Sequence, residues 1–233
     1  MSHALTLPAP VIRLVLFDEV ELLDFAGPYE VFTTALRVHR RLHPGAPAPW
    51  QVRSASLHGQ AVRARAGLQL QADEALIPGP AEPSALTDVT APTALLLVPG
   101  GVVNGVLANP EMMAALRHHA EHTLAATADG LVASVCTGAF VLADLGLLHG
   151  QPCTTHWEDV ADLRRRHPGL DLRPEARWVD AGRVLSSAGI SAGLDMGLHL
   201  VARLHSRALA LATARQMDYA WRDAEAADLP SAP

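Results

Sequence analysis

The stretch Gly130-Leu-Val-Ala-Ser-Val-Cys136-Thr-Gly-Ala-Phe140 carries the most chemical information in the chain. It reads as a short buried strand over Leu131–Val135, one cysteine, and a helix from about Gly138 to Gly146. Ser134 and Gly138, two positions either side of the cysteine, are small enough for strand and helix to meet in a sharp turn. This is the pattern of a nucleophile elbow with Cys in place of Ser. A thiol at a helix N-terminus faces unpaired N–H groups and the positive end of the helix dipole, which predicts a stabilised thiolate. Cys136 is the expected nucleophile, far more reactive than Cys153, which is expected to be structural within a strand.

Other groups should converge on this turn, because ligands of open α/β sheets bind beyond the carboxyl ends of the strands. Asp24 follows the first expected strand and reads either as a proton carrier beside Cys136 or as a first-turn helix cap. As a carrier it should be partly buried and bear the proton. Gly100-Gly101 ends another strand; the Gly101 and Thr137 amides are expected to form an oxyanion hole, with Gly100 and His156 lining the substrate pocket. No metal site is expected, since no paired CxxC or HxxxH falls at a strand end. His118, His119 and His122 read as solvated residues of a surface helix. His156 and Cys153 should face opposite sides of one strand.

The elements that must hold these groups alternate. Strands are expected at Val11–Phe17, Trp50–Ser56, Ala94–Val98, Leu131–Val135 and Pro152–Trp157. Hairpins are expected over Val62–Gln71 and Arg177–Ser186. Helices are expected at Pro28–Arg41, with Pro28 in the first turn, at Pro110–Ala128, at Glu158–Arg166, and as one long helix over Gly193–Trp221. Pro78–Pro92 reads as a loop and Arg222–Pro233 as a frayed tail. The pattern predicts a flavodoxin-like, open parallel sheet with helices on both faces, in one domain over residues 1–233.

Composition narrows the chemistry. All 18 basic residues are Arg, so a Schiff-base lysine, a P-loop lysine and a lysine general base are excluded. A net charge of −6 argues against a nucleic-acid partner. No run is long and apolar enough to span a membrane, and the start lacks a signal-peptide pattern. With two cysteines, a disulfide framework is not expected. The expectation is a cytoplasmic protein acting on a small molecule without a cofactor.

Several segments resemble the ThiJ/PfpI superfamily, which has a class I glutamine-amidotransferase-like fold. They are Leu23-Asp24-Phe-Ala-Gly-Pro-Tyr-Glu-Val-Phe32, Val98-Pro-Gly-Gly101, Ser134-Val-Cys-Thr-Gly-Ala139, Ala143-Asp-Leu-Gly-Leu-Leu148, Thr154-Thr-His-Trp157 and Gly189-Ile-Ser-Ala-Gly-Leu-Asp195. Cys-Thr-Gly together with Leu-Asp-x-x-Gly-Pro-Tyr-Glu-Val is most similar to the isonitrile hydratase branch. That resemblance implies a homodimer with Cys136 as nucleophile, Asp24 as essential acid/base and Thr137 contributing to the site. The implied reaction passes through a Cys136 thioimidate that water converts to an N-substituted formamide. Val102-Val103-Asn104, Ser186-Ser187-Ala188 and Cys153 depart from the usual pattern. The peptidase branch places His directly after the nucleophile, so Thr137 counts against proteolysis. Two other functions stay open. One is glyoxalase or deglycase action, although that branch uses Glu where this chain has Asp24. The other is ligand sensing, as in AraC-type regulators; the chain shows no helix-turn-helix pair after its last expected helix.

Overall fold

The computed structural model describes residues 8–77 and 91–223. The elements run β1 (Val11–Val15), α1 (Leu22–Leu42), β2 (Gln51–Ser56), β3 (Val62–Arg63), β4 (Gln69–Leu70), β5 (Glu74–Ala75), β6 (Thr93–Val98), α2 (Asn104–Leu107) and α3 (Pro110–Ala126). They continue with β7 (Leu131–Val135), α4 (Gly138–Asp144), β8 (Pro152–Cys153), a 3-10 turn (Trp157–Asp159), α5 (Val160–Arg166), β9 (Asp171–Leu172), β10 (Trp178–Asp180), β11 (Val184–Ser187), α6 (Ala192–Leu204) and α7 (Arg207–Gln216). The seven-stranded sheet has the order β10-β11-β7-β6-β1-β2-β5. All its pairings are parallel except β10 with β11. The flavodoxin-like architecture is therefore as the alternation predicts. The hairpin over β3 and β4 also forms as expected.

The buried runs explain the middle of the sheet. Leu95, Leu96, Leu97, Val132, Ala133 and Val135 are fully buried, the pattern of strands covered on both faces. The chain leaves β1 toward β2 but leaves β6 toward β7, in opposite directions along the sheet. Right-handed crossovers then put α1 and α3 on opposite faces. α1 packs with α6 and α7, while α3 packs on β6 and β7. The loops after β1 and β6 diverge at this reversal, which opens a crevice at their carboxyl ends.

Four elements differ from expectation. α1 begins at Leu22, six residues before Pro28, which lies inside the helix. The early turn is held by tertiary contacts: the Glu21 N–H donates to the Gly100 carbonyl (2.9 Å), and the Asp24 N–H to the Glu21 carbonyl (3.1 Å). The long helix over Gly193–Trp221 is two helices, α6 and α7. Ser206 breaks it with extended backbone and accepts the Leu209 N–H at 3.2 Å, a side-chain cap. The strand over Pro152–Trp157 stops at Cys153, because only β8 finds a partner, in β9. His156 and Cys153 therefore do not share one strand. Arg222, expected to be frayed, donates its N–H to Asp195 (2.9 Å). Residues 224–233 and most of the proline-rich loop lie outside the described residues. No described helix is long and apolar enough to cross a membrane.

Candidate active site

Cys136 sits where β7 meets α4, with φ of 56°. A non-glycine residue in this left-handed region costs about 1–3 kcal/mol, so the surrounding structure must enforce it. The Cys136 N–H donates to the Ser187 carbonyl (3.0 Å) and its own carbonyl accepts from Thr155 Oγ1 (2.9 Å). Thr155 thus ties the segment after β8 to the elbow and brings His156 alongside. Gly138 allows the turn as the sequence pattern requires: a Cβ there would lie 2.3 Å from the Val98 carbonyl oxygen.

Asp24 is fully buried in the first turn of α1, directly behind the cysteine. It does not cap its helix. Its Oδ1 accepts the Ile190 N–H from across the sheet at 2.8 Å. Its Oδ2 is buried without a backbone, hydroxyl or guanidinium donor in hydrogen-bond geometry. The Cys136 thiol is the group that faces this carboxylate. The Gly100 N–H lies near enough to exert a weak pull. Burial outweighs these stabilising contacts and raises the Asp24 carboxyl to about 6.

The cysteine departs from expectation in the opposite sense. Burial, then the Asp24 carboxylate, pushes the Cys136 thiol well above its ordinary range, against a single favourable pull from the Thr137 N–H. The helix N-terminus does not compensate, since α4 has only seven residues and offers the sulfur that one amide. The thiol is pushed up further than the carboxyl, so between the two the proton favours sulfur, whereas the sequence suggests a proton-bearing Asp24 beside a thiolate. Burial likewise raises Cys153, to about 11.

The oxyanion hole also differs. The Gly101 N–H donates to Thr137 Oγ1 (2.8 Å), and that hydroxyl donates to the Gly101 carbonyl (2.8 Å). The Gly101 amide is therefore occupied, and the Thr137 amide remains as the donor at the sulfur. Gly100 is a packing position rather than part of the pocket wall. A Cβ there would stand 2.7 Å from Asp24 Oδ2, Cys136 Cβ and the Thr137 amide nitrogen.

A cleft of about 770 Å³ opens in front of the cysteine, lined by Cys136, Thr137, His156, Asp159, Val102 and Ile190 among others. His156 thus does reach the pocket. Its Nδ1 lies 3.5 Å from Asp159 Oδ2 and 3.7 Å from Glu158 Oε2. Cys136 Sγ, a His156 ring nitrogen and an Asp159 carboxylate oxygen stand within 4.8 Å of one another. Sequence reasoning missed Asp159, although its position three residues after His156 was visible. It also missed Ile190, whose φ of 58° no pattern predicts for a β-branched residue. Of the helical histidines, His118 and His122 are exposed as expected. His119 is instead partly buried, with Nε2 2.8 Å from the Leu76 carbonyl oxygen.

Residues 11–203 match the DJ-1/PfpI family. The chain belongs to that family. It is 31% identical over 209 residues to the HTH-type transcriptional regulator GbdR of Pseudomonas aeruginosa, a match covering 89% of this chain and 50% of the regulator. The chain thus spans about half the length of that relative. It is also 31% identical over 211 residues to isonitrile hydratase of Pseudomonas putida, covering 90% of this chain and 78% of the hydratase. The crystal structure of Drosophila melanogaster DJ-1beta superposes with a TM-score of 0.70 at 18% identity, covering 91% of this chain and all of the other. That likeness concerns the fold. The family therefore holds both a hydratase and regulators of this chain's pattern.

Proposed function

We propose that the protein is a cysteine-dependent hydratase that converts small isonitriles to N-substituted formamides. The observation that carries this reading is Asp24 Oδ2, a buried carboxylate oxygen without a conventional donor, set against a cysteine in strained backbone. A carboxylate left this way is suited to take a proton from the thiol and give it elsewhere.

In the first half-reaction Asp24 takes the thiol proton as sulfur bonds the terminal isonitrile carbon, and delivers that proton to the same carbon. The product is a thioimidate, Cys136–S–CH=N–R. Asp24, again a carboxylate, then draws a proton from water as the water oxygen adds to that carbon. The nitrogen takes this proton, the C–S bond breaks, and the remaining hydroxyl proton returns to sulfur as the carbonyl forms. One isonitrile and one water give one formamide, with the thiol restored. A carboxyl near 6 is matched to this shuttle at neutral pH.

A sensor reading is favoured by one observation, the 31% identity to GbdR over 89% of this chain. Side-by-side assays of a small isonitrile and of methylglyoxal, with wild type, Cys136→Ser and Asp24→Asn, separate the readings. Isonitrile turnover lost in both variants is the expected result. Methylglyoxal consumption alone would move the assignment to glyoxalase chemistry. Saturable binding without turnover of either compound would make the protein a sensor.

A further inference from the structure

We propose that Cys136, His156 and Asp159 form a binding site for a borderline-soft divalent cation of the zinc class, which caps the cysteine sulfur and holds the protein unreactive. The three side chains offer sulfur, imidazole nitrogen and carboxylate oxygen, the donor set that zinc accepts. They leave the fourth direction open toward the cleft, as in sites with three protein ligands and an exchangeable one.

The geometry is close to what such an ion needs. Tetrahedral bonds of the usual lengths put a sulfur and a nitrogen ligand roughly 3.5 Å apart. The present separations are all within 4.8 Å, so none has to close by more than about 1.3 Å. Cys136 is fixed by the elbow, whereas the His156 and Asp159 side chains are 18% and 33% exposed. The space between ring and sulfur exists because residue 189 is glycine. A Cβ there would lie 2.3 Å from His156 Cδ2 and 3.0 Å from Cys136 Sγ.

A hydrogen-bonded catalytic relay explains this cluster less well. Asp159 Oδ2 stands 3.5 Å and Glu158 Oε2 3.7 Å from His156 Nδ1, at and beyond the outer limit of hydrogen-bond length, so these carboxylates hold the ring only loosely. Asp24 already faces the thiol from the buried side. When sulfur takes the cation, the thiol proton leaves to Asp24 or water, and the sulfur lone pair that would attack carbon is engaged. Cation binding stands independently of the hydratase reading; only the activity it switches off rests on that reading.

Cobalt(II) is a suitable probe because thiolate ligation gives a charge-transfer band in the near ultraviolet. Freshly reduced protein titrated with Co²⁺ should develop this band to a single equivalent, and Zn²⁺ should erase it. Cys136→Ser should abolish it, and Cys153→Ser should leave it at wild-type strength. His156→Ala and Asp159→Asn should each weaken cobalt affinity by at least the roughly 10–100-fold that loss of an outer partner costs. No band in the wild type, a band surviving Cys136→Ser, or unchanged affinity in the His156 and Asp159 variants overturns the site. The band is read without turnover, so a metal-free protein that hydrates no isonitrile yet develops the band on cobalt addition refutes the hydratase and leaves the cation site standing.

Discussion

Asp24 and Asp195 begin alike and end differently. Both are fully buried, and each lies in the first turn of a helix, α1 and α6 respectively. Asp195 is surrounded by donors: Arg177 Nε, the Tyr219 hydroxyl (3.1 Å) and the Arg222 N–H (2.9 Å), while Trp221 Nε1 bonds its backbone carbonyl (3.1 Å). Asp24 has one well-formed backbone hydrogen bond, from Ile190, a weak pull from the Gly100 N–H, and a thiol. Burial alone therefore does not mark a functional carboxylate. Asp195 has its charge neutralised and fixes the chain after α7. Asp24 is left short of donors beside the Cys136 thiol, and its proton affinity rises.

The sharpest way to break this contrast is Asp24→Asn. Turnover should fall by about 10²–10⁴-fold, the range for loss of a positioned proton carrier. Steady-state kinetics on the accepted isonitrile checks it, and unaltered kcat would reduce Asp24 to a packing residue. In the wild type, kcat/KM should decline below about pH 6 as Asp24 takes up its own proton.

Asp195→Asn should act on stability instead. Removing one partner of a buried ion pair leaves Arg177 uncompensated, which costs about 3–5 kcal/mol. Denaturant unfolding measures this, and a loss under about 1 kcal/mol would show that Asp195 is not the anchor described.

The two substitutions should also differ in sign. Asp24 has a folded value of about 6 against an unfolded 3.8, so the folded state binds the proton more tightly. Stability from this group is fully present below about pH 4 and is lost as pH rises through 6, by about 3 kcal/mol at pH 8. Asparagine carries no such penalty. Asp24→Asn should therefore gain stability over wild type on going from pH 4 to pH 8, the inverse of its effect on turnover. Melts at the two pH values test this; a difference between the proteins that stays constant with pH would contradict the raised carboxyl.

The smallest effect is expected of Tyr219→Phe, which removes one donor among several from Asp195. It should cost about 1.5–3 kcal/mol, the scale of a single hydrogen bond to a charged acceptor, and leave turnover unchanged.

The sequence by itself determined the sheet and the elbow. Continuous apolar runs such as Leu131–Val135 can be stable only when covered on both faces, and small residues flanking a cysteine after such a run permit the sharp turn. It also placed Asp24 and Cys136 at strand ends that an open α/β sheet must bring together. Only the tertiary structure decided what these residues meet. Whether α1 starts at Leu22 or at Pro28 depends on the Gly100 carbonyl, 79 residues away from the Glu21 amide that binds it. The Ile190 N–H reaches Asp24 across 166 residues, and Thr155 reaches back over 19 to the Cys136 carbonyl. Proton affinity is a property of such surroundings. A helix N-terminus read locally promises a stabilised thiolate, yet burial and a facing carboxylate reverse it, because desolvation and through-space charge depend on contacts that no local spacing encodes.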